Sequence, residues 1–173
     1  MKNLLVVVDM QNDFIDGSLG TKEAVAIVDN VIAEIAKYDT KDIFATRDTH
    51  PENYLETQEG KNLPVVHCVK GTDGWEINAK VKEALKDAVV IDKPTFGSKI
   101  LAEEIAKIAE KEDITVTLIG LCTDICVVSN ALLIKAYLPE VPVKVIASCC
   151  AGVTPESHEA ALTTMRMCQV QVE

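Results

Sequence analysis

The sequence predicts an α/β fold, a three-layer Rossmann-like sandwich with a mainly parallel central sheet, on three observations. Short apolar runs rich in Val and Ile recur at Leu4–Val8, Ile43–Thr46, Ala88–Ile91, Ile114–Leu121 and Val143–Ala147, the pattern of strands buried on both faces. Stretches with helical spacing lie between most of them, and strand–helix alternation builds a parallel sheet covered on both sides. Residues able to do chemistry stand where the runs end, at Asp9, Asp48, Lys93 and Cys126, and the carboxyl ends of strands are where open α/β sheets keep their sites.

Taken in order, Leu4-Leu-Val-Val-Val8 is a strand stopped by Asp9, and Met10 to Gly20 is a polar, glycine-punctuated loop. Thr21 to Lys37 reads as a helix with Ala24, Ile27, Val28, Val31, Ile32 and Ile35 on one face. Ile43 to Thr46 is the second strand and runs into Arg47-Asp48-Thr49-His50. A polar loop from Glu52 to Leu63 leads to Pro64-Val-Val-His-Cys-Val69 and the Gly71-Thr-Asp-Gly74 turn. Glu76 to Lys86 has a helical pattern, and Ala88 to Ile91 is a strand ending at Asp92-Lys93. Ser98 caps a helix to Lys111, and Ile114 to Leu121 is the strand before Cys126. Thr123 and Asp124 are good N-cap types, which puts Cys126 in the first turn of the next helix, where free N–H groups and the dipole favour a thiolate. Val143 to Ala147 is a further strand and Pro155 to Met167 the last helix.

With 173 residues, 48% of them hydrophobic, the chain fits one domain spanning residues 1–173 with a substantial core. A net charge of −10 with scattered Lys and Arg disfavours nucleic-acid and anionic-membrane surfaces and fits a small-molecule partner. The apolar run after Met1 is too short for a signal peptide, and no later run is long enough to span a bilayer. The cysteines at 68, 122, 126, 149, 150 and 168 have no framework spacing, so they read as reduced thiols in a cytoplasm. Repeats and low-complexity segments are absent.

Two constellations carry chemistry. In a parallel sheet Asp9, Lys93 and Cys126 share one edge, which brings together a proton shuttle, a cation and a nucleophile. The second is Asp48-Thr49-His50 with His67. Alternation along extended chain puts Asp48 and His50 on one side, and a carboxylate with two imidazoles suits Zn²⁺, with Mn²⁺ or Fe²⁺ as alternatives. Water or one further acid completes the set, Glu59 ahead of Glu56. His158, at a helix start, reads as structural.

Together these residues resemble the isochorismatase-like cysteine hydrolases, and among them the metal-binding nicotinamidases. Five ordered blocks carry the resemblance over nearly the whole chain: Asp9-Met-Gln-Asn-Asp-Phe14, Asp48-x-His50, His67-Cys-Val-Lys-Gly-Thr72, Lys93 with Phe96 after it, and Gly120-Leu-x-Thr-Asp-x-Cys-Val127. The resemblance implies a catalytic triad of Asp9, Lys93 and Cys126, a metal on Asp48, His50 and His67, and an apolar wall from Phe14. It also implies a cis peptide between Leu121 and Cys122 that turns the N–H groups of Cys122 and Cys126 toward one point, an oxyanion hole. The activity implied is hydrolysis of a small carboxamide through a thioester, with nicotinamide, and hence NAD salvage, the best single expectation.

The chain departs from its relatives in one stretch. Where nicotinamidases usually carry an aromatic residue before the second metal histidine, this sequence has Asn62-Leu63-Pro64-Val65-Val66. Leu63 can line a pocket but cannot stack on a ring, and Tyr54 or Trp75 is left to supply one. Another amide, such as an N-carbamoyl or ureido compound, is the alternative substrate. From a different class, Cys122, Cys126 and Cys149 would suit a redox-responsive binding protein. The apolar helix from Ala131 to Leu138 fits a core helix or a homo-oligomer interface.

Overall fold

The computed structural model describes residues 1–173. Six strands form one sheet in the order β3-β2-β1-β4-β5-β6, every neighbouring pair parallel. They are β1 (Lys2–Val8), β2 (Ile43–Asp48), β3 (Val89–Lys93), β4 (Ile114–Leu121), β5 (Val143–Ala151) and β6 (Gln171–Val172). The helices are α1 (Asn12–Ile15), α2 (Lys22–Ile35), α3 (Gln58–Asn62), α4 (Ala79–Leu85), α5 (Lys99–Ala109), α6 (Val128–Tyr137) and α7 (Pro155–Met167). No helix is long and apolar enough to cross a membrane.

The alternation of β1 shows how the sheet is buried on both sides. Leu4, Val6 and Val8 join a core with Leu101, Ile105, Ala131, Ile134, Leu162 and Met165 from α5, α6 and α7. Leu5 and Val7 face the other way, onto Ile27, Val31 and Ile35 of α2 and Val81 and Leu85 of α4. Each core holds 21 buried residues, so neither face is left to solvent.

Three helix starts follow the chemistry of their first residues. Thr21 accepts from the Ala24 N–H, Ser98 from the Leu101 N–H, and Thr154 with Ser157 closes a capping box ahead of Pro155.

Several boundaries differ from the sequence expectation, each for a local reason. The fourth helix starts at Ala79 instead of Glu76, because Asn78 caps it and Ile77 bridges to Gln11. The polar stretch from Glu52 to Leu63 is not all loop: Tyr54–Glu56 is a 3-10 turn, and Thr57 caps α3 by accepting from the Gly60 N–H. β5 runs four residues past Ala147, with an irregular register beside Gly120, and β6 is too short to leave a pattern.

The sheet order reverses between β1 and β4: the chain runs outward from β1 through β2 to β3, then returns to the other side of β1. The crevice at such a reversal is the preferred ligand site of an open α/β sheet. Gly120 makes the close fit there. Its φ of +117° is open to glycine, and a Cβ on it would lie 2.1 Å from the Val8 carbonyl oxygen.

Candidate active site

Asp9 follows β1, Lys93 ends β3, and Cys126 lies in the turn after β4, so three segments far apart in sequence meet at one edge. Asp9, Lys93 and Cys126 are 0%, 1% and 3% exposed. Lys93 Nζ lies 2.7 Å from Asp9 Oδ2 and donates to Cys126 Sγ at 3.3 Å and to the Thr95 carbonyl at 3.2 Å. Asp9 has a φ of +47°, a left-handed conformation uncommon for a residue with a side chain and typical of functional sites. Thr46 holds it there, donating to Asp9 Oδ1 at 2.6 Å. Asp9 Oδ2 is buried and faces the Lys93 ammonium.

Burial dominates the electrostatics of the site. Burial, and then the charge of Asp9, push the Cys126 thiol well above the usual thiol range, against the pull of Lys93. Burial thus opposes the thiolate that the start of a helix favours. Asp9 is also shifted upward by burial, opposed by Lys93, which makes it a better proton acceptor than an ordinary carboxylate. Lys93 stays charged: burial opposes its proton, but Asp9, Cys126 and Asp48 together raise its pKa.

The turn itself also differs from expectation. Thr123–Val127 forms a π-helical turn ahead of α6, with Cys122 in the capping position and no side-chain cap. Thr123 and Asp124 point elsewhere, to His158 Nδ1 and the Val153 N–H. The Leu121–Cys122 peptide is cis. The Cys122 carbonyl accepts from the N–H groups of Ile125 and Val127, while the Cys122 N–H has no backbone acceptor.

Beside the triad, Asp48, His50, Glu59 and His67 place one ligand atom each within 4.8 Å of one another. His50 Nε2 is 2.8 Å from Asp48 Oδ2, His67 Nε2 is 3.6 Å from the same oxygen, and Glu59 Oε1 lies 3.6 Å and 3.7 Å from the two imidazoles. Four ligands arranged tetrahedrally around Zn²⁺ at about 2.1 Å sit about 3.4 Å apart, so the cluster has the right size and donor types. His67 Nδ1 donates to the Val65 carbonyl at 2.8 Å, which turns Nε2 inward. Burial alone would raise Asp48, yet hydrogen bonds from His50 and His67 and the charge of Lys93 hold its carboxyl well below the usual range. Glu56 instead accepts from Asn53 and is no part of the cluster.

A cavity of about 490 Å³ opens onto both groups. Cys122, Cys126, Asp48, Glu59 and His67 form its polar end, and Phe14, Leu19, Leu63, Pro94, Phe96 and Ile125 its apolar walls. Phe14 and Leu63 are where the sequence put them. Tyr54 is not: its fully buried ring packs edge-on against His50 and His67, and its hydroxyl donates to the Leu63 carbonyl, so it backs the imidazoles without lining the cavity. Trp75 also stays outside, under the Arg47 guanidinium at 3.6 Å with its Nε1 donating to Thr49. The second ring of the pocket is Phe96.

Three supporting residues escaped sequence reading. Gln11 clamps the Asp48 backbone, donating to its carbonyl at 2.8 Å and accepting its N–H at 2.7 Å. Asn130 accepts from the Ser98 N–H and donates to the carbonyls of Cys126 and Phe96, tying the nucleophile turn to the segment after Lys93. Thr46 orients Asp9. Thr46 and Asn130 leave one signal in the sequence, a polar side chain inside an otherwise apolar run, while Gln11 is one polar residue among several in its loop. All six cysteines are free thiols, and Cys149 lines a separate cleft with Asn30, Lys37 and Ser148, away from the cavity that Cys122 lines.

The parallel sheet, the switch-point crevice and the acid–lysine–cysteine edge define an isochorismatase-like α/β hydrolase. The chain belongs to the isochorismatase family, whose Isochorismatase domain model matches residues 3–173. It is 26% identical over 183 residues to a nicotinamidase/pyrazinamidase of Mycobacterium tuberculosis, covering 97% of this chain and 96% of that protein. Among solved structures, the pyrazinamidase of Pyrococcus horikoshii in complex with zinc superposes with a TM-score of 0.82 at 31% identity, over 100% of this chain and 99% of that one. The N-carbamoylsarcosine amidase of Thermoplasma acidophilum gives 0.76 at 27%, over 100% and 96%.

Proposed function

We propose that the protein is a cysteine-dependent amidohydrolase that cleaves a small aromatic carboxamide, nicotinamide first among them, to the acid and ammonia. The observation that carries this reading is that Cys126, held by Lys93 beside Asp9, opens onto the same largely apolar cavity as Asp48, Glu59 and His67 of the four-residue cluster. Family membership and the nicotinamidase and pyrazinamidase relatives support hydrolysis of a C–N amide bond.

In this reading Cys126 passes its proton to Asp9 as its sulfur bonds to the carboxamide carbon. The negative charge that develops on the carbonyl oxygen is held by the N–H groups of Cys122 and Cys126. The C–N bond then breaks, Asp9 returns the proton to the departing amine, and ammonia leaves a thioester on Cys126. A water molecule gives a proton to Asp9 and attacks the thioester carbon. The C–S bond breaks, and the proton on Asp9 restores the thiol. Lys93 remains charged throughout and keeps Asp9 and the sulfur aligned.

Asp48, His50, His67 and Glu59 would hold a divalent metal, Zn²⁺ by donor type with Mn²⁺ or Fe²⁺ as alternatives, which when bound supplies a Lewis-acid anchor for a ring nitrogen. Phe14 and Phe96, both in the cavity wall, would supply aromatic contacts to such a ring.

The N-carbamoylsarcosine amidase neighbour favours a second reading, an N-carbamoyl or ureido substrate in the same cavity. An ammonia-release screen over small amides, with and without added Zn²⁺, Mn²⁺ or Fe²⁺, separates the two. Release from nicotinamide that depends on metal supports the first reading, and release confined to N-carbamoyl compounds supports the second.

A further inference from the structure

We propose that His158 is a positioning residue for the Cys126 turn, acting through Thr123 without touching substrate. The proposal rests on the hydrolase reading of that turn.

The turn has no side-chain cap of its own. Its two N-terminal polar residues do not cap their own helix. They reach out to the β5–α7 junction: fully buried Thr123 pairs its hydroxyl with His158 Nδ1 at 2.8 Å, and both carboxylate oxygens of Asp124 accept from the Val153 N–H at 3.2 Å. Thr123 stands between Cys122 and Cys126, the two residues whose N–H groups the mechanism needs. A shift of Thr123 therefore moves the oxyanion donors and the sulfur together.

The junction is shaped to deliver this contact. A Cβ on Gly152 would lie 2.9 Å from the His158 backbone, so glycine allows the start of α7 to approach the end of β5. The capping box of Thr154 and Ser157 fixes the first turn of α7, which carries His158. His158 does not line the catalytic cavity, nor does it belong to the metal cluster. It lines instead a separate cavity of about 320 Å³, whose other titratable lining residues are Glu23, Cys150 and Glu159. Its side-chain hydrogen bond to the Cys126 turn is the one to the Thr123 hydroxyl.

The test uses the full, zinc-loaded chain with His158→Ala, His158→Asn, Thr123→Val and the His158→Ala/Thr123→Val double variant. Two readouts are taken: kcat and KM for ammonia release from nicotinamide, and the rate at which iodoacetamide alkylates Cys126. His158→Ala is expected to lower kcat about tenfold with KM changed less than about twofold, and to slow alkylation, since misplacing a reacting group acts on the chemical step. Asparagine, which can present a polar atom near the position of Nδ1, is expected to recover most of the loss. The double variant is expected to be no worse than His158→Ala alone. Wild-type kcat and alkylation in His158→Ala, or losses that multiply in the double variant, would overturn the proposal. Should His158→Ala fail to fold in a thermal melt, Thr123→Val breaks the same contact from the other side, and an unchanged kcat in that folded variant overturns it equally. A wild-type chain that releases no ammonia from nicotinamide sinks the substrate reading only, and the alkylation rates then decide the role of His158.

Discussion

Lys93 links the two halves of the site: its Nζ is 2.7 Å from Asp9 Oδ2 on the nucleophile side and 3.8 Å from Asp48 Oδ1 on the metal side. One buried ammonium thus faces two carboxylates with different tasks, one held ionised and one shifted toward taking a proton.

Removing that ammonium should harm folding and chemistry together. Lys93→Met leaves Asp9 buried without a cation, a change that costs about 3–5 kcal/mol when a buried pair loses one partner. Ammonia release should fall by about a thousandfold or more, as for other members of a catalytic unit. Arginine should not rescue, because the fully buried site fits a point charge and not a planar fork. Thermal melts with initial rates read both effects, and a Lys93→Met protein with unchanged melting temperature and rate would contradict the assignment.

Metal removal gives an independent reading of the cluster. A ligand present at a thousandfold excess over its Kd stabilises the folded chain by about 4 kcal/mol. The chelated protein should melt lower than the Zn²⁺-loaded one and lose ammonia release, and His67→Ala should abolish the Zn²⁺-dependent rise in melting temperature. Equal melting temperatures with and without Zn²⁺ would remove the metal from the account.

Alkaline pH should destabilise the fold. Burial pushes the Cys122 and Cys150 thiols up to about 12 and the Cys126 thiol well above the usual 9.0, while charged neighbours, against burial, raise Lys93 above 10.5. These groups keep their protons when folded and release them when unfolded, so their contribution is complete at neutral pH. It is lost as pH rises above about 9, at up to about 1.4 kcal/mol per pH unit for each group. A melting temperature that holds level from pH 8 to pH 11 would contradict this.

The pocket wall offers a gain of function. Leu63 lines the cavity and is 38% exposed. If the substrate is an aromatic carboxamide, Leu63→Phe should lower its KM about twofold to tenfold, the scale of one added ring contact. A KM that rises for nicotinamide but falls for an N-carbamoyl compound would favour the second substrate reading.

How far the sequence carried can be judged from particular residues. Asp9, Asp48, His50, Lys93 and Cys126 were legible because they stand at or just after strand ends, which a parallel sheet gathers on one edge, whereas His67 lies in the loop after α3 and was legible only as a histidine beside an apolar run. What separates Glu59 from Glu56 was not legible: α3 brings Glu59 to the two imidazoles, while Glu56, in the 3-10 turn before it, accepts from Asn53. The roles of Thr123 and Asp124 were misread because their residue types suit an N-cap, and only tertiary packing shows that α7 and the β5 end claim them first. Tyr54 and Phe96 exchanged places for a related reason: whether a ring lines a cavity or backs it depends on the path of the loop, and loops without hydrophobic periodicity leave that path unspecified.

The central claim is that Cys126 carries the acyl group. Hydroxylamine intercepts a thioester, so wild-type protein given nicotinamide and rising hydroxylamine should form the hydroxamate and the acid in a ratio that grows with hydroxylamine. Cys126→Ala should form neither. Ammonia release at the wild-type rate from folded, metal-loaded Cys126→Ala would contradict the account.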